Sequence, residues 1–426
     1  MASVALYSPS VLSEAASGHR LPSLPVALAF VRACGGDPQE WEQRWREIHG
    51  DTEIDSAAAV PSAPVAADPA RAASELKVRP AQMPIGPHDF VGRAAELRRA
   101  SEVTGGPGDL RVPLVIRGPA GIGKTTFAMR FARRLASDFP GGQLWADMGA
   151  DDVQPLDVMT GFLLALGVPP EQIPPDEMGR VGLYRSTLAV QRVVVLLDNV
   201  RDEPQVRLLL VRSCTSQILM TSRSRLLGLE GIRRITLAPL TPKESVELLR
   251  LLIGADRVRA ELPAVLRIAQ FCAHLPLALT IAGRKIAAQK YRPLSEFAAH
   301  LDSGVEIANW LWIGDVSLVQ SVLPAYILLP PLAQQAVHRL AVSTDEITPG
   351  ALAKSLQVSI DSAEYAMDAL IDAGLLYRMR DSGRHVLPAL IGRLIAQETS
   401  RLALRREVDT VELPVLRYAP ADAPRY

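Results

Sequence analysis

The rhythm of apolar and polar positions changes several times along the chain. Between residues 112 and 238 five short runs are almost wholly apolar: "VPLVIR" (112–117), "GQLWADM" (142–148), "RVVVLLD" (192–198), "SQILMTS" (216–222) and "IRRITLA" (232–238). Stretches with helical spacing separate them. Apolar runs of strand length that alternate with helical periods predict a parallel sheet covered by helices on both faces. After residue 240 the strand pattern stops. "TPKESVELLRLLIG" opens a helix with Thr241 as cap, Pro242 at the first helical position and Glu244 closing a capping box. Helical spacing continues through "LPAVLRIAQFCAHLPLALTIAGRKIAA". "TPGALAKSLQVSIDSAEYAMDALIDAGLLYRMRDSGRHVLPAL" then reads as helix, turn, helix and two short strands around "DSG", the order of a winged helix.

Residues 1–50 read as short helices, with Trp41 and Trp45 on one side of the last of them. Residues 51–85 are rich in Ala, Pro and Ser without periodicity, the composition of a flexible linker. The expected plan is an N-terminal helical segment (1–50), a linker (51–85), an α/β domain (86–240), a helical domain (241–313), a winged helix (314–400) and a tail (401–426). A length of 426 residues accords with several domains.

Composition changes the picture little. Hydrophobic residues make up 48% and charged residues 22%, and 46 Lys and Arg balance 46 Asp and Glu. With zero net charge no global field draws the chain to nucleic acid or membrane. Cys34, Cys214 and Cys272 lack metal-ligand spacing and read as small buried residues of a reducing compartment. No leader and no bilayer-length apolar run is recognisable, so a soluble cytoplasmic protein is expected, without membrane contact.

The chemistry lies where the first apolar run stops. "RGPAGIGKTT" fits G-x-x-x-x-G-K-[ST] through Gly118, Gly123, Lys124 and Thr125, with Gly121 inside the loop and Thr126 after it. Glycines let backbone N–H groups aim at phosphate oxygens, and the following helix turns its positive end to the same point. Lys124 is expected to reach the β- and γ-phosphates, and the Thr125 hydroxyl to ligate Mg²⁺. Asp198 ends the buried run "VVVLLD", where a carboxylate is costly unless paired or near a cation; helix capping is the other reading. Asn199 follows it, and an amide cannot act as a base. Slow hydrolysis is therefore expected. Arg223, after "ILMTS", could report a γ-phosphate from a neighbouring strand tip, or merely be solvated.

These pieces resemble the NB-ARC branch of the signal-transduction ATPases with numerous domains (STAND), over roughly residues 86 to 400. "DFVGRAAEL" (89–97) is similar to the family's segment that lays backbone against adenine, which implies nucleotide contacts at Val91 and Arg93. "LLDN" is similar to its Walker B strand and "TSR" to its sensor segment, which implies catalytic roles for Lys124, Asp198 and Arg223. "HLPLAL" (274–279) resembles its G-L-P-L-A motif, which implies that Pro276 packs on the nucleotide; His274 stands where glycine is usual. The family's Met-His-Asp histidine has His385 as its candidate, followed here by valine, while another register places Leu387 there. The N-terminal segment resembles the later helices of a Cro/repressor-type helix-turn-helix, without its first helix.

Three functions follow from this reading. The first is an ATP/ADP-binding regulatory switch with slow Mg²⁺-dependent hydrolysis. It would self-associate in the ATP state and answer to a signalling protein that the sequence does not name. The second is a transcription regulator that binds DNA through residues 1–50, and the third an ordinary P-loop ATPase. Asn199 and the lack of a substrate domain count against the third. No N-K-x-D motif points to guanine, and no acceptor site points to a kinase.

Overall fold

The computed structural model describes residues 79–402, apart from 87–88, 106–110, 151, 213–214, 305, 342–346 and 379–383. It also describes 27–28, 31, 37 and 39–44, and the backbone of 403–410. Two compact units divide the chain, Met1–Leu76 and Lys77–Tyr426. In the first, residues 39–44 are helical, and Arg44 pairs with Glu40 at 2.7 Å. The expected DNA-binding segment otherwise lies outside the described residues, as do Cys34, Trp45, Cys214, the "DSG" turn and the tail beyond residue 410.

In the second unit five strands form one parallel sheet. They are β1 (Leu114–Arg117), β2 (Gly142–Asp147), β3 (Val193–Val200), β4 (Gln217–Ser222) and β5 (Arg233–Thr236), in the spatial order β2-β3-β4-β1-β5. Helix α1 (Ala94–Thr104) precedes β1, α2 (Lys124–Leu135) follows it, and α3 (Pro155–Ala165) and α4 (Glu177–Val190) lie between β2 and β3. Period-2 alternation sends neighbouring side chains to opposite faces. Leu114 and Ile116 join the core with Phe127 and Phe131 of α2. Val115 between them faces Phe162 of α3 and Tyr184 of α4. Val194 and Leu196 against Val193, Val195 and Leu197 repeat the division in β3. The runs look continuously apolar because both faces are covered.

All five strands fall inside the runs expected, except that β3 continues past Asp198 to Val200. Its register shifts between Leu197 and Val200, and Asn199 takes φ 57°. This bulge lets the strand resume after Asp198 has turned to the sheet's end, and asparagine tolerates the left-handed conformation better than most residues. Residues 80–82 run alongside β2, Gln143 N donating to the Pro80 carbonyl (2.7 Å) and Gln82 N to the Gln143 carbonyl (3.0 Å). The second unit therefore begins ahead of the expected boundary at 86.

Helices take over after β5. They are α5 (Pro242–Ile253), α6 (Ala255–Ala260), α7 (Leu262–Phe271), α8 (Pro276–Ala288) and α9 (Leu294–Asp302). The capping box closes as expected at the start of α5: Glu244 N donates to the Thr241 hydroxyl and Thr241 N to the Glu244 carboxylate. A two-stranded hairpin (β6 Trp312–Ile313, β7 Val316–Ser317) leads to α10 (Leu318–Ile327), α11 (Pro331–Ala341), α12 (Pro349–Leu356) and α13 (Ile360–Asp372). The short antiparallel pair β8 (Tyr377–Arg378) and β9 (His385–Val386) comes next, and α14 (Ala389–Thr410) ends the described backbone. Both helical regions share one apolar core with the α2 face of the sheet, from Phe131 through Leu279 to Leu390.

Candidate functional site

The sheet order decides which residues meet. β4 lies between β1 and β3, so its C-terminal end stands between the loop after β1 and the Asp198 end of β3. Open parallel sheets bind ligands at the carboxyl ends of their strands.

The loop from Gly118 to Gly123 turns under α2, with Gly121 at φ 73° and Gly123 at φ 84°. Both values favour glycine. A side chain at Gly121 would also meet Leu277 of α8 and Leu318 of α10, each within 3.3 Å. Lys124 opens α2, and its Nζ donates to the carbonyls of Gly118 and Pro119, 3.0 Å each. Burial first, and the positive charge of Arg223 second, push its pKa down to about 7. The cation is thus held by two carbonyl oxygens and no paired carboxylate among the described residues.

Asp198 is buried, 3% exposed, and its Oδ1 accepts a hydrogen bond from the Thr125 hydroxyl (2.9 Å) and another from the Thr221 hydroxyl of β4. Burial raises its pKa, and the two hydroxyl bonds work against that rise. Asn199 N donates to the Thr221 hydroxyl (2.9 Å), and its side-chain amide to Asp147 of β2 (2.9 Å). Asp202 and Glu203 accept backbone N–H bonds from Gln205 and Gly228 and stay out of the cavity lining. Hydroxyl and carboxylate side by side suit Mg²⁺, which keeps several waters and takes one or two protein ligands. Among the described residues no group of three or more His, Cys, Asp or Glu gathers as a metal site.

A cavity of about 370 Å³ joins these parts. Val91, Arg93, Gly121, Gly123, Lys124, Thr125, Thr126, Arg223 and Pro276 line it; Asp198 does not, and is joined to it through its bond with Thr125. Gly118 contributes its carbonyl to Lys124 from the start of the loop. Arg223 is largely buried, which lowers its pKa, and among the described residues no carboxylate pairs with it. His385 stands elsewhere, in β9 beside Arg378, bridged to Ile347 and outside the lining; burial and then Arg378 lower its pKa. Leu387 is buried in the core behind it.

His274 takes φ 55°, the conformation a glycine would adopt freely. The Ser245 hydroxyl lies 3.0 Å from the Thr241 carbonyl and 2.9 Å from the Nδ1 of His274, and is hydrogen-bonded to both. Leu240 N donates to the His274 carbonyl (3.0 Å). His274 N also donates to the Ala269 carbonyl (3.1 Å), and the histidine is a packing residue held by its bonds to Ser245, Leu240 and Ala269.

The opposite wall is built around Glu244. Its carboxylate caps α5 and also accepts from Arg93 N (3.3 Å). Arg93, at φ 63°, pairs with Glu96 (3.1 Å) and donates to the Ile122 carbonyl (3.4 Å). A Cβ on Gly92, at φ 69°, would lie 2.2 Å from the Glu244 carboxylate. Gly92→Ala is therefore expected to destabilise the fold by about 2 kcal/mol through strain and overpacking. Denaturant unfolding measures this, and a loss under about 0.5 kcal/mol would show that the wall yields freely.

Several lining residues carried no sequence motif. Thr280 and Arg284 follow Pro276 at helical spacings of four on α8, and Ser321 comes from α10. The Leu277 amide donates to the Gly121 carbonyl (3.1 Å), which ties the start of α8 to the phosphate loop.

The fold and this loop define a P-loop nucleotide-binding protein. Residues 105–258 match the family model of the NB-ARC domain. It is 35% identical over 337 residues to the regulatory protein AfsR of Streptomyces coelicolor, covering 76% of this chain and 34% of that one. To the regulatory protein AfsR of Streptomyces griseus it is 33% identical over 339 residues, covering 78% and 35%. The chain thus spans about a third of the length of the curated relatives it matches. A STAND protein with a tetratricopeptide repeat sensor from Pyrococcus horikoshii is similar at TM-score 0.37 and 18% identity, over 79% of this chain and 48% of that chain. Among the described residues no helix is long and apolar enough to cross a membrane.

Proposed function

We propose that the chain is an ATP/ADP-binding regulatory switch. The observation that carries this reading is the composition of one cavity's wall. The phosphate loop, Arg223 of the β4 end, Pro276, Thr280 and Arg284 of α8, and Ser321 of α10 all line it. A nucleotide there touches the sheet domain and both helical regions, so a change in its phosphate number changes what holds them together. A ligand shifts such an equilibrium only by its difference in affinity for the two states, and a γ-phosphate within reach of Lys124 and Arg223 supplies one.

In this reading Phe90, Val91 and Arg93 border the base, the loop amides and Lys124 hold the phosphates, and Pro276 packs on the nucleotide. Thr125 and Asp198 would hold Mg²⁺, which supplies charge neutralisation between the phosphates. The lid is α5–α9, and α12, α13 and the β8–β9 pair form the winged helix. Asn199 offers no base, and its amide is already spent on Asp147. Among the described residues lining the cavity the only carboxylate is Asp89, next to Phe90. Hydrolysis is accordingly slow. The regulatory role agrees with the name of the two Streptomyces relatives.

The test is to denature the purified protein and identify the released nucleotide by chromatography. About one ADP per chain is expected. An empty protein that hydrolyses added ATP at ordinary enzyme rates of about 10 s⁻¹ would overturn the switch.

A further inference from the structure

Two residues beyond Arg223, the same segment is gripped by α13. Arg225 donates from Nε to Asp372 Oδ1 (2.8 Å), from Nη2 to Asp372 Oδ2 (2.9 Å) and from Nη1 to Asp368 Oδ1 (2.8 Å). Its backbone N also donates to Asp372 Oδ1 (3.1 Å). A planar guanidinium matched to both oxygens of one carboxylate is the geometry that fixes orientation as well as attraction. Arg234 braces the clamp from behind through the Arg225 carbonyl (2.9 Å), and the positive charge of Arg117, at the end of β1, also faces Asp372.

The turn after α13 continues the contact into the nucleotide loop. Ala120 N donates to the Gly374 carbonyl (3.3 Å). Gly374 has φ 68°, and a Cβ there would lie 3.2 Å from the Arg223 Cβ and 3.3 Å from the Gly118 carbonyl oxygen. Gly374 is thus wedged between the arginine that lines the cavity and the first residue of the phosphate loop. His385, by contrast, stays outside the cavity.

We propose that Arg225 is the positioning residue for Arg223: its clamp on Asp372 and Asp368 makes the seating of α13 and the reach of Arg223 into the cavity a single equilibrium. This rests on the nucleotide-switch reading. While α13 is seated, Arg223 is held beside Gly374. Released from it, Arg223 can follow a longer phosphate chain, which ADP does not offer. Opening the clamp therefore favours ATP over ADP. Asp372 matters more than Asp368, because it takes three of the four bonds and Asp368 is 59% exposed.

The experiment uses the full chain as wild type, Arg225→Ala, Asp372→Asn, the double variant, and Arg225→Lys as the conservative control. Backbone amide exchange is read for residues 219–226 and 366–376 without nucleotide, and affinities are measured for ADP and a non-hydrolysable ATP analogue. Both segments are expected to lose protection together. The ATP-to-ADP affinity ratio should rise roughly tenfold in each single variant and no further in the double, with Arg225→Lys in between. Loosening of α13 alone, or equal weakening of both nucleotides with the ratio unchanged, would overturn the proposal and leave Arg225 a structural brace. A wild type that binds neither nucleotide would sink the switch reading instead, and the exchange data would then decide by themselves whether the clamp holds the 223–225 segment.

Discussion

Lys124→Ala is expected to empty the cavity while leaving the fold intact. In the structure Lys124 is buried, and among the described residues its Nζ donates to two carbonyl oxygens. Burial and the nearby Arg223 both disfavour its charge and lower its pKa. A phosphate chain relieves both at once, so the binding contact is charge-assisted and desolvated. Its loss should weaken ADP by about 100-fold, near 3 kcal/mol. The protein itself gives up a poorly neutralised buried cation, so its melting temperature should hold or rise. Titration calorimetry with ADP and a thermal melt of the same sample separate the two effects. Affinity within about threefold of wild type would mean that the loop does not hold the phosphates.

Asp198→Asn should divide ADP binding from ATP turnover. One carbonyl oxygen of asparagine can still accept from Thr125 and Thr221, so the local shape survives. The charge that would complement Mg²⁺ does not. Mg²⁺-dependent hydrolysis is expected to fall about 100-fold, while ADP affinity changes by less than about threefold. Single-turnover hydrolysis across a Mg²⁺ titration reads this directly. Unchanged turnover would leave Asp198 as a hub joining β3, β4 and α2 and nothing more, a role its two hydroxyl partners already show it can fill.

How much of this could be read in advance depends on distance along the chain. Strand runs and the phosphate loop are local patterns, and β1, β2, β4 and β5 fall within the runs expected of them. The capping box of α5 is also local, and both of its bonds form. The reach of Arg223 was not local: it needed β4 to stand between β1 and β3, which no spacing encodes. Thr221 passed as an ordinary strand residue until β3 brought Asp198 against it across 23 positions. Arg225 and Asp372 lie 147 positions apart, and no spacing in the chain links them. Glu244 was legible as a cap and illegible as the acceptor for Arg93 N, 151 positions away. Periodicity reports which side of an element faces inward; it is silent on which other element waits there.

The stretch from Pro80 to Gln82 bears on where this protein can be cut. A strand at the border of a sheet offers unpaired N–H and C=O groups to any passing chain, and natural folds blunt such borders. Here the Pro80 carbonyl and the Gln82 amide occupy the first positions of β2, and the Gln82 side chain takes the Trp145 amide (3.2 Å). Pro80 has no N–H to recruit a further strand, so the guard does not itself become a template. A fragment begun at residue 86, or at 105 where the NB-ARC match starts, keeps every phosphate-binding group and loses this guard. Its exposed border would then invite edge-to-edge association, and precipitation of such a fragment would reflect the missing guard, not a failure of the nucleotide site.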